Sequence, residues 1–252
     1  MIKIENLKKQ FGEKTAVDIE QFNVKNGDML GLVGNNGAGK TTLFRLILDL
    51  LQADDGKVAL DGENGVIFPA ESEEWKDFTG AYIDEAFLID FLTPEEYFQF
   101  IGKANNMTQE AVDERLNEFA ALMQGEILGQ KKLIRDLSAG NKQKVGIIAA
   151  LLAKPQLVIL DEPFNFLDPS AQIILKRLVT EYHQATNATI LISSHNLQHT
   201  IDISTRIALM ENGHIVKDLP NMDGSAEKEL EEYFSVESSI QEPVNPDAGN
   251  KP

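Results

Sequence analysis

Residues 29–51 of this 252-residue chain join an apolar strand pattern to a helix pattern through a glycine-rich loop. The three parts read "MLGLV", "GNNGAGKTT" and "TTLFRLILDLL". The loop has the spacing of glycine, four residues and then Gly-Lys-Thr that is typical of phosphate-binding loops. Glycines let backbone N–H groups turn around phosphate oxygens, and the dipole of the following helix favours the same anion. The segment therefore predicts a strand–loop–helix unit that binds a nucleotide phosphate.

The residues of this loop have separate predicted roles. Lys40 is expected to reach the β- and γ-phosphates, and the Thr41 hydroxyl is expected to hold Mg²⁺. The predicted nucleotide-binding positions of the loop are Gly34, Asn35, Asn36, Gly37, Ala38, Gly39, Lys40, Thr41 and Thr42. An accidental glycine turn is the alternative, and the strand and helix patterns on either side argue against it.

Short apolar, β-branched runs alternate with longer stretches of helical periodicity. The clearest runs are 29–34, 157–161 and 189–194, and polar or turn-forming residues follow each of them. This alternation is typical of α/β proteins with a buried, mainly parallel sheet, whose strand ends form the ligand crevice. Strand patterns fade between about residues 85 and 153, where "TPEEYFQFIGKA" and "TQEAVDERLNEFAALM" predict amphipathic helices. We therefore expect a helical insertion in an α/β core.

The boundaries of the later elements are also predicted. The helix that begins near Ser138 is expected to stop at Lys154-Pro155, because proline disfavours helical geometry in its predecessor and lacks the backbone donor. Asn212-Gly213 in "IALMENGHIV" predicts a hairpin. Beyond about residue 217 the chain becomes acidic and then rich in Pro, Asn and Gly, which predicts a short helix around 226–235 and a mobile tail after it.

A second acidic element ends the apolar run "LVILDEP". A carboxylate at the carboxyl end of a parallel strand can orient Mg²⁺ or its waters, and a second carboxylate can accept a proton from attacking water. Asp161 is therefore predicted as a metal ligand and Glu162 as the general base. Two solvated acids at a strand end would be the ordinary alternative if no phosphate loop were present.

Charge and hydropathy exclude several classes of function. The chain has 40 acidic and 23 basic residues, a formal net charge of -17 that disfavours nucleic acid as a partner. Its longest apolar run, "VGIIAALLA", is far shorter than the roughly 20 residues that span a bilayer. The start of the chain lacks the apolar region of a secretory signal, and there is no cysteine for a disulfide framework. These features predict a cytoplasmic protein that does not cross a membrane by itself.

Together with "LSAGNKQ" (residues 137–143, hereafter the signature segment), these motifs resemble the ATP-binding-cassette family. The similarity covers about residues 2–217 in the expected order, and it is greatest to the single-cassette ATPase subunits that power bacterial export permeases. The resemblance implies a phosphate-loop NTPase core with a mainly parallel sheet, an antiparallel β subdomain and an inserted helical subdomain. The predicted boundaries are one domain over 1–217, with the core at 1–84 and 154–217, the helical subdomain at about 85–153, and a C-terminal extension at 218–252.

In this family two cassettes associate head to tail, so the signature segment of one completes the ATP site of the other. The resemblance implies that Ser138 and the Gly140 backbone contact the γ-phosphate of ATP bound by the partner. Ala139 stands where a glycine is usual and Asn141 where a glutamine is usual, while Gln143 is in its usual place. Alanine tolerates helical geometry at least as well as glycine, so we expect a working segment. Capping of the following helix is compatible with this role.

Three further positions match the family pattern. Phe11 stands where an aromatic ring stacks on adenine, although a packing role is equally consistent with the sequence. Asp168 in "NFLDP" matches an aspartate loop that crosses the interface between cassettes. His195 in "ISSHN" matches a histidine that touches the γ-phosphate. A lone histidine is more often structural, but its place after a core strand favours the functional role. The predicted catalytic residues are thus Glu162, His195 and Lys40.

One position departs from the family pattern. Asp84 in "AYIDEAFL" stands where a glutamine helps to coordinate Mg²⁺ and links the core to the helical region. A carboxylate oxygen also suits a hard cation, but aspartate is one methylene shorter and adds a negative charge. We predict that Asp84, or Glu85 if the loop shifts, keeps the coupling role with altered metal contact. A solvated acidic turn is the alternative.

The resemblance implies an ATPase that uses ATP and Mg²⁺ and dimerises around ATP. Its expected partners are an integral membrane permease and a second cassette, identical or paralogous, with the chain held on the inner face of the membrane by the permease. Two alternatives remain open at this stage. One is a soluble cassette ATPase of an assembly machine, such as that for iron–sulfur clusters. The other is a regulatory subunit with impaired hydrolysis, which Asp84 and Ala139 suggest and the intact acid pair argues against.

Overall fold

The fold was analysed in a computed structural model, which describes residues 2–62, 65–222 and 224–240. The strands of these residues are β1 Ile2–Phe11, β2 Lys14–Val24, β3 Met29–Val33, β4 Asp55–Gly62, β5 Gly65–Ile67, β6 Thr79–Tyr82, β7 Leu157–Leu160, β8 Thr189–Ser194, β9 Arg206–Glu211 and β10 His214–Pro220. The α-helices are α1 Lys40–Ile47, α2 Pro94–Ala104, α3 Gln109–Glu118, α4 Ala120–Met123, α5 Ala139–Leu152, α6 Pro169–Thr186, α7 Leu197–Ile201 and α8 Ala226–Ile240.

The strands form two sheets of different kinds. The larger sheet has the order β10-β9-β3-β8-β7-β6, and its pairs are parallel except for the hairpin of β9 and β10. The smaller sheet has the order β2-β1-β4-β5 and is antiparallel throughout. The predicted α/β class with a mainly parallel sheet and a separate antiparallel part is thus confirmed.

The parallel sheet lies between two apolar clusters. Along β7, Leu157 and Ile159 pack with the antiparallel sheet and α1, whereas Val158 and Leu160 pack with the helices on the opposite face. Side chains of a strand alternate between faces, so a strand buried on both faces must be apolar throughout. This explains the continuous run "LVIL" and places the strand ends, rather than the sheet faces, in contact with solvent.

Between β6 and β7 every regular element of the structure is helical, in the stretch predicted as a helical subdomain. Local capping defines the ends of these helices. Thr93 and Glu96 form a reciprocal capping box at the start of α2, and Ser138 accepts a hydrogen bond from Asn141 N at the start of α5. α5 ends at Leu152, two residues before the predicted stop.

The segment "TQEAVDERLNEFAALM" is helical as predicted, but it forms two helices, α3 and α4. α3 ends at Glu118, and Phe119 leaves helical geometry before α4 begins. The Phe119 ring is buried and lies against the Arg115 guanidinium, whose carbon is 4.7 Å from the ring centroid. Arg115 in turn donates to the carbonyls of Leu151 and Leu152. Burial of this pair against the end of α5 therefore outweighs the helical periodicity of the segment.

The C-terminal predictions have different outcomes. The Asn212-Gly213 turn joins β9 to β10 as expected. The helix predicted around 226–235 is present and longer, as α8. Its Ala226 and Leu230 pack against the β9 side of the parallel sheet. The tail predicted after it, at 241–252, lies outside the described residues.

Two glycines let α5 approach β6 closely. A Cβ on Gly80 of β6 would lie 1.9 Å from the Ala150 carbonyl oxygen, and a Cβ on Gly146 of α5 would lie 2.1 Å from the Tyr82 ring. Contacts this short do not occur, so any side chain at either position would displace the helix. The position of α5, and with it that of the signature segment, depends on these two glycines.

We expect Gly80→Ala to lower the free energy of unfolding by about 1–3 kcal/mol, because the added methyl group meets a backbone carbonyl that cannot rotate away. Ala81→Ser on the exposed face of the same strand is the matched control and is expected to have little effect. Urea denaturation followed by circular dichroism measures both. An unchanged midpoint for Gly80→Ala would show that α5 can move without cost.

Candidate functional site

The glycine-rich loop lies between the carboxyl end of β3 and the first turn of α1. Gly34, Gly37 and Gly39 have φ values of 155°, 85° and 112°, which favour glycine. A Cβ on Gly34 would lie 2.2 Å from the Met210 carbonyl oxygen, and one on Gly39 would lie 2.2 Å from the Ala16 carbonyl oxygen. Backbone geometry thus favours glycine at all three positions, and close packing also requires it at Gly34 and Gly39. The loop is positioned by β9 on one side and by β2 on the other.

Lys40, the first residue of α1, has its charged group inside the loop. Its side chain is only 6% exposed, and Nζ donates a 2.6 Å hydrogen bond to the Gly34 carbonyl. Nζ also lies 3.4 Å from Oε1 of Glu162. A buried ammonium group within a glycine-rich loop is a strong attraction for a phosphate anion.

Thr41 and Asp161 face each other across the cleft. Thr41 Oγ1 donates to Asp161 Oδ2 at 2.5 Å, and the Ser193 hydroxyl donates to Oδ1 of the same carboxylate. Burial raises the pKa of Asp161, while the hydrogen bonds from Ser193 and Thr41 act in the opposite direction. A cation placed between Thr41 and Asp161 would favour the ionised carboxylate.

The donor set of this pair fits Mg²⁺. Hydroxyl and carboxylate oxygens are its preferred ligands, and Mg²⁺ is usually held by one or two carboxylates together with waters and substrate phosphates. Within the described ranges, no group of three or more His, Asp or Glu side chains is arranged to hold a metal by itself. The pair therefore fits a Mg²⁺ ion that arrives with a nucleotide.

Glu162 lies between two cationic or potentially cationic groups. Besides Lys40, it contacts His195, whose Nδ1 is 2.8 Å from Oε2 and whose backbone N donates to the same oxygen at 3.3 Å. The backbone of Glu162 has a φ of +46°, and its N–H donates to Ser193 Oγ at 2.8 Å. Parallel pairing of β7 with β8 places Leu160 opposite Ile192, which brings the residues that follow both strands together. The carboxylate thus lies between Lys40 and His195 at the mouth of the loop.

Asp84 lies near Thr41 and Asp161, and both of its carboxylate oxygens accept hydrogen bonds. Oδ2 accepts a 2.8 Å hydrogen bond from Arg45 of α1, and Oδ1 accepts one of 2.7 Å from Ala86 N. Its neighbour Glu85 forms an ion pair of 3.3 Å with Lys142 of α5. The two acids therefore connect the helix that follows the phosphate loop with the helix that begins at the signature segment.

The Thr41–Asp161 pair and Glu162 open onto one cavity of about 290 Å³. Its lining includes Thr41, Asp84, Ala139, Asp161, Glu162 and Phe166. The structure thus brings together six predicted site residues by direct contact or in this cavity: Lys40, Thr41, Asp84, Asp161, Glu162 and His195. In the described part of the chain, no hydrogen bond or ion pair joins Ser138 or Asp168 to them.

Ser138 and Asp168 each cap a helix. The Ser138 side chain accepts from Asn141 N at 3.2 Å. The Asp168 carboxylate accepts from Ser170 and Ala171 at the start of α6, and the Ser170 hydroxyl is the main cause that lowers the pKa of this exposed group. Gly140 packs against the backbone of Phe166, because a Cβ at Gly140 would be 2.6 Å from the Phe166 carbonyl oxygen.

Phe11 ends β1 with 52% of its surface exposed. Lys14, three residues later, lies beside the phosphate loop, because a Cβ on Gly37 would be 3.7 Å from Lys14 Nζ. No sequence pattern pointed to Lys14, since a lysine at the start of a strand gives no signal of its own. An exposed ring and a cation thus stand on the same hairpin at the edge of the loop.

Gln143 and Ser193 support the acid pair through further polar contacts. The buried Gln143 side chain accepts from the Tyr82 hydroxyl at 2.9 Å and donates to the Glu162 carbonyl at 3.0 Å. Ser193 binds Asp161 and Glu162 as described above. The signal for Gln143 was its place in the signature segment, whereas Ser193 lay in an ordinary strand pattern.

The comparisons with known proteins agree with this geometry. The family model described as ABC transporter matches residues 17–165. The bacitracin transport ATP-binding protein of Enterococcus faecalis is 34% identical over 219 residues, which cover 87% of this chain and 69% of that protein. A probable sulfate/thiosulfate import ATP-binding protein of Chlorella vulgaris is 31% identical over 216 residues, which cover 86% and 89%.

Solved structures give the same result for the fold. An ATP-binding subunit of an ABC transporter matches with a TM-score of 0.80 at 25% identity, covering 94% of this chain and 99% of that one. A bacterial ABC transporter cassette solved as a dimer matches with a TM-score of 0.77 at 21% identity, covering 88% and 99%. The chain therefore belongs to the ABC transporter family, as an ATP-binding subunit with ATPase activity.

Proposed function

We propose that this subunit pairs with a second cassette around ATP and that the cycle of binding and hydrolysis drives a membrane permease, in the direction of export. The observation that supports the ATPase chemistry most directly is the position of the Glu162 carboxylate, which contacts both Lys40 and His195 at the mouth of the phosphate loop.

The proposed reaction is in-line attack of water on the γ-phosphate. Glu162 accepts the proton of the attacking water, while Lys40 and the loop N–H groups stabilise charge on the phosphate oxygens. Thr41 and Asp161 would hold Mg²⁺, which when bound neutralises part of the phosphate charge. His195 holds the Glu162 carboxylate through Nδ1 and would contact the γ-phosphate when the nucleotide binds. Most of the catalysis then comes from positioning rather than covalent chemistry.

Pairing is supported by the hydrogen bonding of Ser138 within one chain. The Ser138 hydroxyl and the Gly140 backbone stand at the start of α5, and no hydrogen bond joins Ser138 to the described Lys40–Glu162 cluster. We propose that they contact the γ-phosphate bound by the partner, that Asp168 crosses the interface, and that Phe11 stacks on adenine. Because this chain carries both halves, two copies of it suffice to build two complete sites.

The proposed permease-binding surface is a groove between the parallel sheet and the helical region. A cavity of about 250 Å³ opens there beside Gly80 and Gly146, and its lining includes Leu50 and Phe87. Leu50 is 47% exposed and Phe87 51% exposed. An apolar groove of this kind suits a short cytoplasmic helix of a permease. In the part of the chain that the structure describes, no helix is both long and apolar enough to span a bilayer. The proposed location is therefore the inner face of the membrane, through the permease.

We expect Glu162→Gln to lower ATP turnover by roughly 10²–10⁴, because the amide cannot accept the proton, while ATP still holds two cassettes together. Phosphate release measures the rate, and light scattering after size exclusion measures the mass with and without ATP. Glu181→Gln, which alters an exposed acid on α6 paired with Arg177, is the control and keeps the wild-type rate. Normal hydrolysis by Glu162→Gln would contradict the assignment of the base.

A multi-span membrane protein is expected to co-purify in stoichiometric amount after gentle detergent extraction from the cells that make this protein. Phe87→Asp is expected to lower that recovery at least about tenfold, since it places a charge in the apolar groove. Val66→Asp, at another exposed apolar position, is the control. Mass spectrometry quantifies the partners. Recovery with soluble assembly proteins alone would overturn the transporter proposal. The direction of transport is a separate test, in which accumulation of the transported substrate inside inside-out membrane vesicles would support export.

We propose that Asp84 replaces the usual glutamine near the metal and couples α1 to the groove. Asp84→Ala is expected to raise the Mg²⁺ concentration for half-maximal turnover several-fold, because it releases Arg45 and removes an acidic group near Thr41 and Asp161. Glu181→Ala, at the exposed acid paired with Arg177 on α6, is the control. Mg²⁺ titrations of ATP turnover, with and without the permease, check this. Unchanged Mg²⁺ dependence together with unchanged coupled turnover would refute the assignment.

A further inference from the structure

Phe166 combines two unusual properties. Its backbone φ is +61°, in the left-handed region that bulky side chains seldom adopt. Its side chain is also 73% exposed, more than that of any other phenylalanine among the described residues. Glu162, four residues earlier, has a positive φ as well. Backbone strain that clusters beside catalytic groups is an indication of a functional role.

The turn around Phe166 is held by hydrogen bonds that do not use its ring. The Gln172 side chain donates to the carbonyls of Phe164 and Leu167, each at 3.2 Å. Asn165 N donates to the Glu162 carbonyl at 3.2 Å. These contacts fix the backbone on both sides of Phe166 and leave the ring in solvent. A glycine would suit this φ better, so the fold of a single cassette gives no reason for an aromatic ring.

Phe166 lies next to both half-sites. It lines the cavity that also contains Thr41, Asp161 and Glu162. On its other side, the Phe166 carbonyl oxygen lies against Gly140 of the signature segment. A second cassette that completes either half-site must cover the surface on which this ring stands.

We propose that the Phe166 ring is an anchor that inserts into a second copy of this chain when two cassettes close around ATP. This inference rests on the pairing proposed above and adds the residue that holds the interface. In a two-fold arrangement each copy contributes one ring, so a single substitution removes two anchors. Aromatic side chains near the centre of an interface contribute a large part of the binding free energy. The strained turn leaves the ring exposed in the single chain.

The test uses the full-length Glu162→Gln variant with saturating ATP and Mg²⁺, so that hydrolysis does not disperse the dimer. Sedimentation measured over a range of protein concentrations gives the dissociation constant of the dimer. Adding Phe166→Ala is expected to raise that constant at least about tenfold, because two buried rings are lost. Adding Phe166→Tyr, which keeps a ring, is expected to change it by less than about threefold. Met222→Ala, at an apolar position that is 77% exposed, is the control and leaves it unchanged.

Thermal unfolding of the monomer without nucleotide separates an interface role from a structural one. Phe166→Ala is expected to keep the midpoint within about 2 °C, since the ring is exposed. Phe166→Gly removes the side chain that strains the turn and is expected to unfold at the same or a higher temperature, while forming the dimer as poorly as Phe166→Ala. A lower midpoint for both variants would show that the ring supports the fold and would overturn the proposal.

The outcomes also separate this inference from the pairing on which it rests. If the Glu162→Gln parent remains monomeric with ATP, the pairing of two copies is wrong and the anchor falls with it. If the parent dimerises and Phe166→Ala dimerises equally well, the pairing stands and only the anchor is refuted.

Discussion

Parallel pairing of β3, β8 and β7 is the constraint on which the rest of the structure depends. Val33 pairs with Ser194, and Leu160 pairs with Ile192, so the phosphate loop, the acid pair and the histidine all emerge at one edge of the sheet. A register slip of one residue would reverse the faces of a strand that is buried on both sides. The apolar packing that fixes the register therefore also sets the distances among the catalytic side chains.

The site must bind a highly charged anion on a chain whose net charge is -17. It does so by local means, since the buried Lys40 ammonium group, the loop N–H groups and the dipole of α1 act over short distances in a poorly solvated cleft. The acids at the same edge are each engaged, Asp161 by two hydroxyl groups and Glu162 by Lys40 and His195. Such engagement limits repulsion of the phosphate and leaves the carboxylates oriented for a metal and for water.

The signature segment is held by packing rather than by the site that it is proposed to complete. Gly80 and Gly146 allow α5 to lie against β6, Gln143 connects α5 to the Glu162 backbone, and Lys142 pairs with Glu85. A displacement of the helical region would thus reach Glu162 through the Gln143 contact as well as through the sheet. This arrangement provides a physical path between the apolar groove and the phosphate loop.

The sequence by itself determined the α/β class, the phosphate loop, the acid pair and the helix caps, because each of these is encoded by a short run of neighbouring residues. Glycine spacing, an apolar run that ends in Asp-Glu, and Ser or Thr before a helix have the same local consequence in any chain. Only the tertiary structure decided which distant groups meet. The contact of His195 with Glu162, the engagement of Asp84 by Arg45 and the break between α3 and α4 at Phe119 all depend on contacts between elements far apart in sequence. At Phe119, burial outweighs the local helical preference.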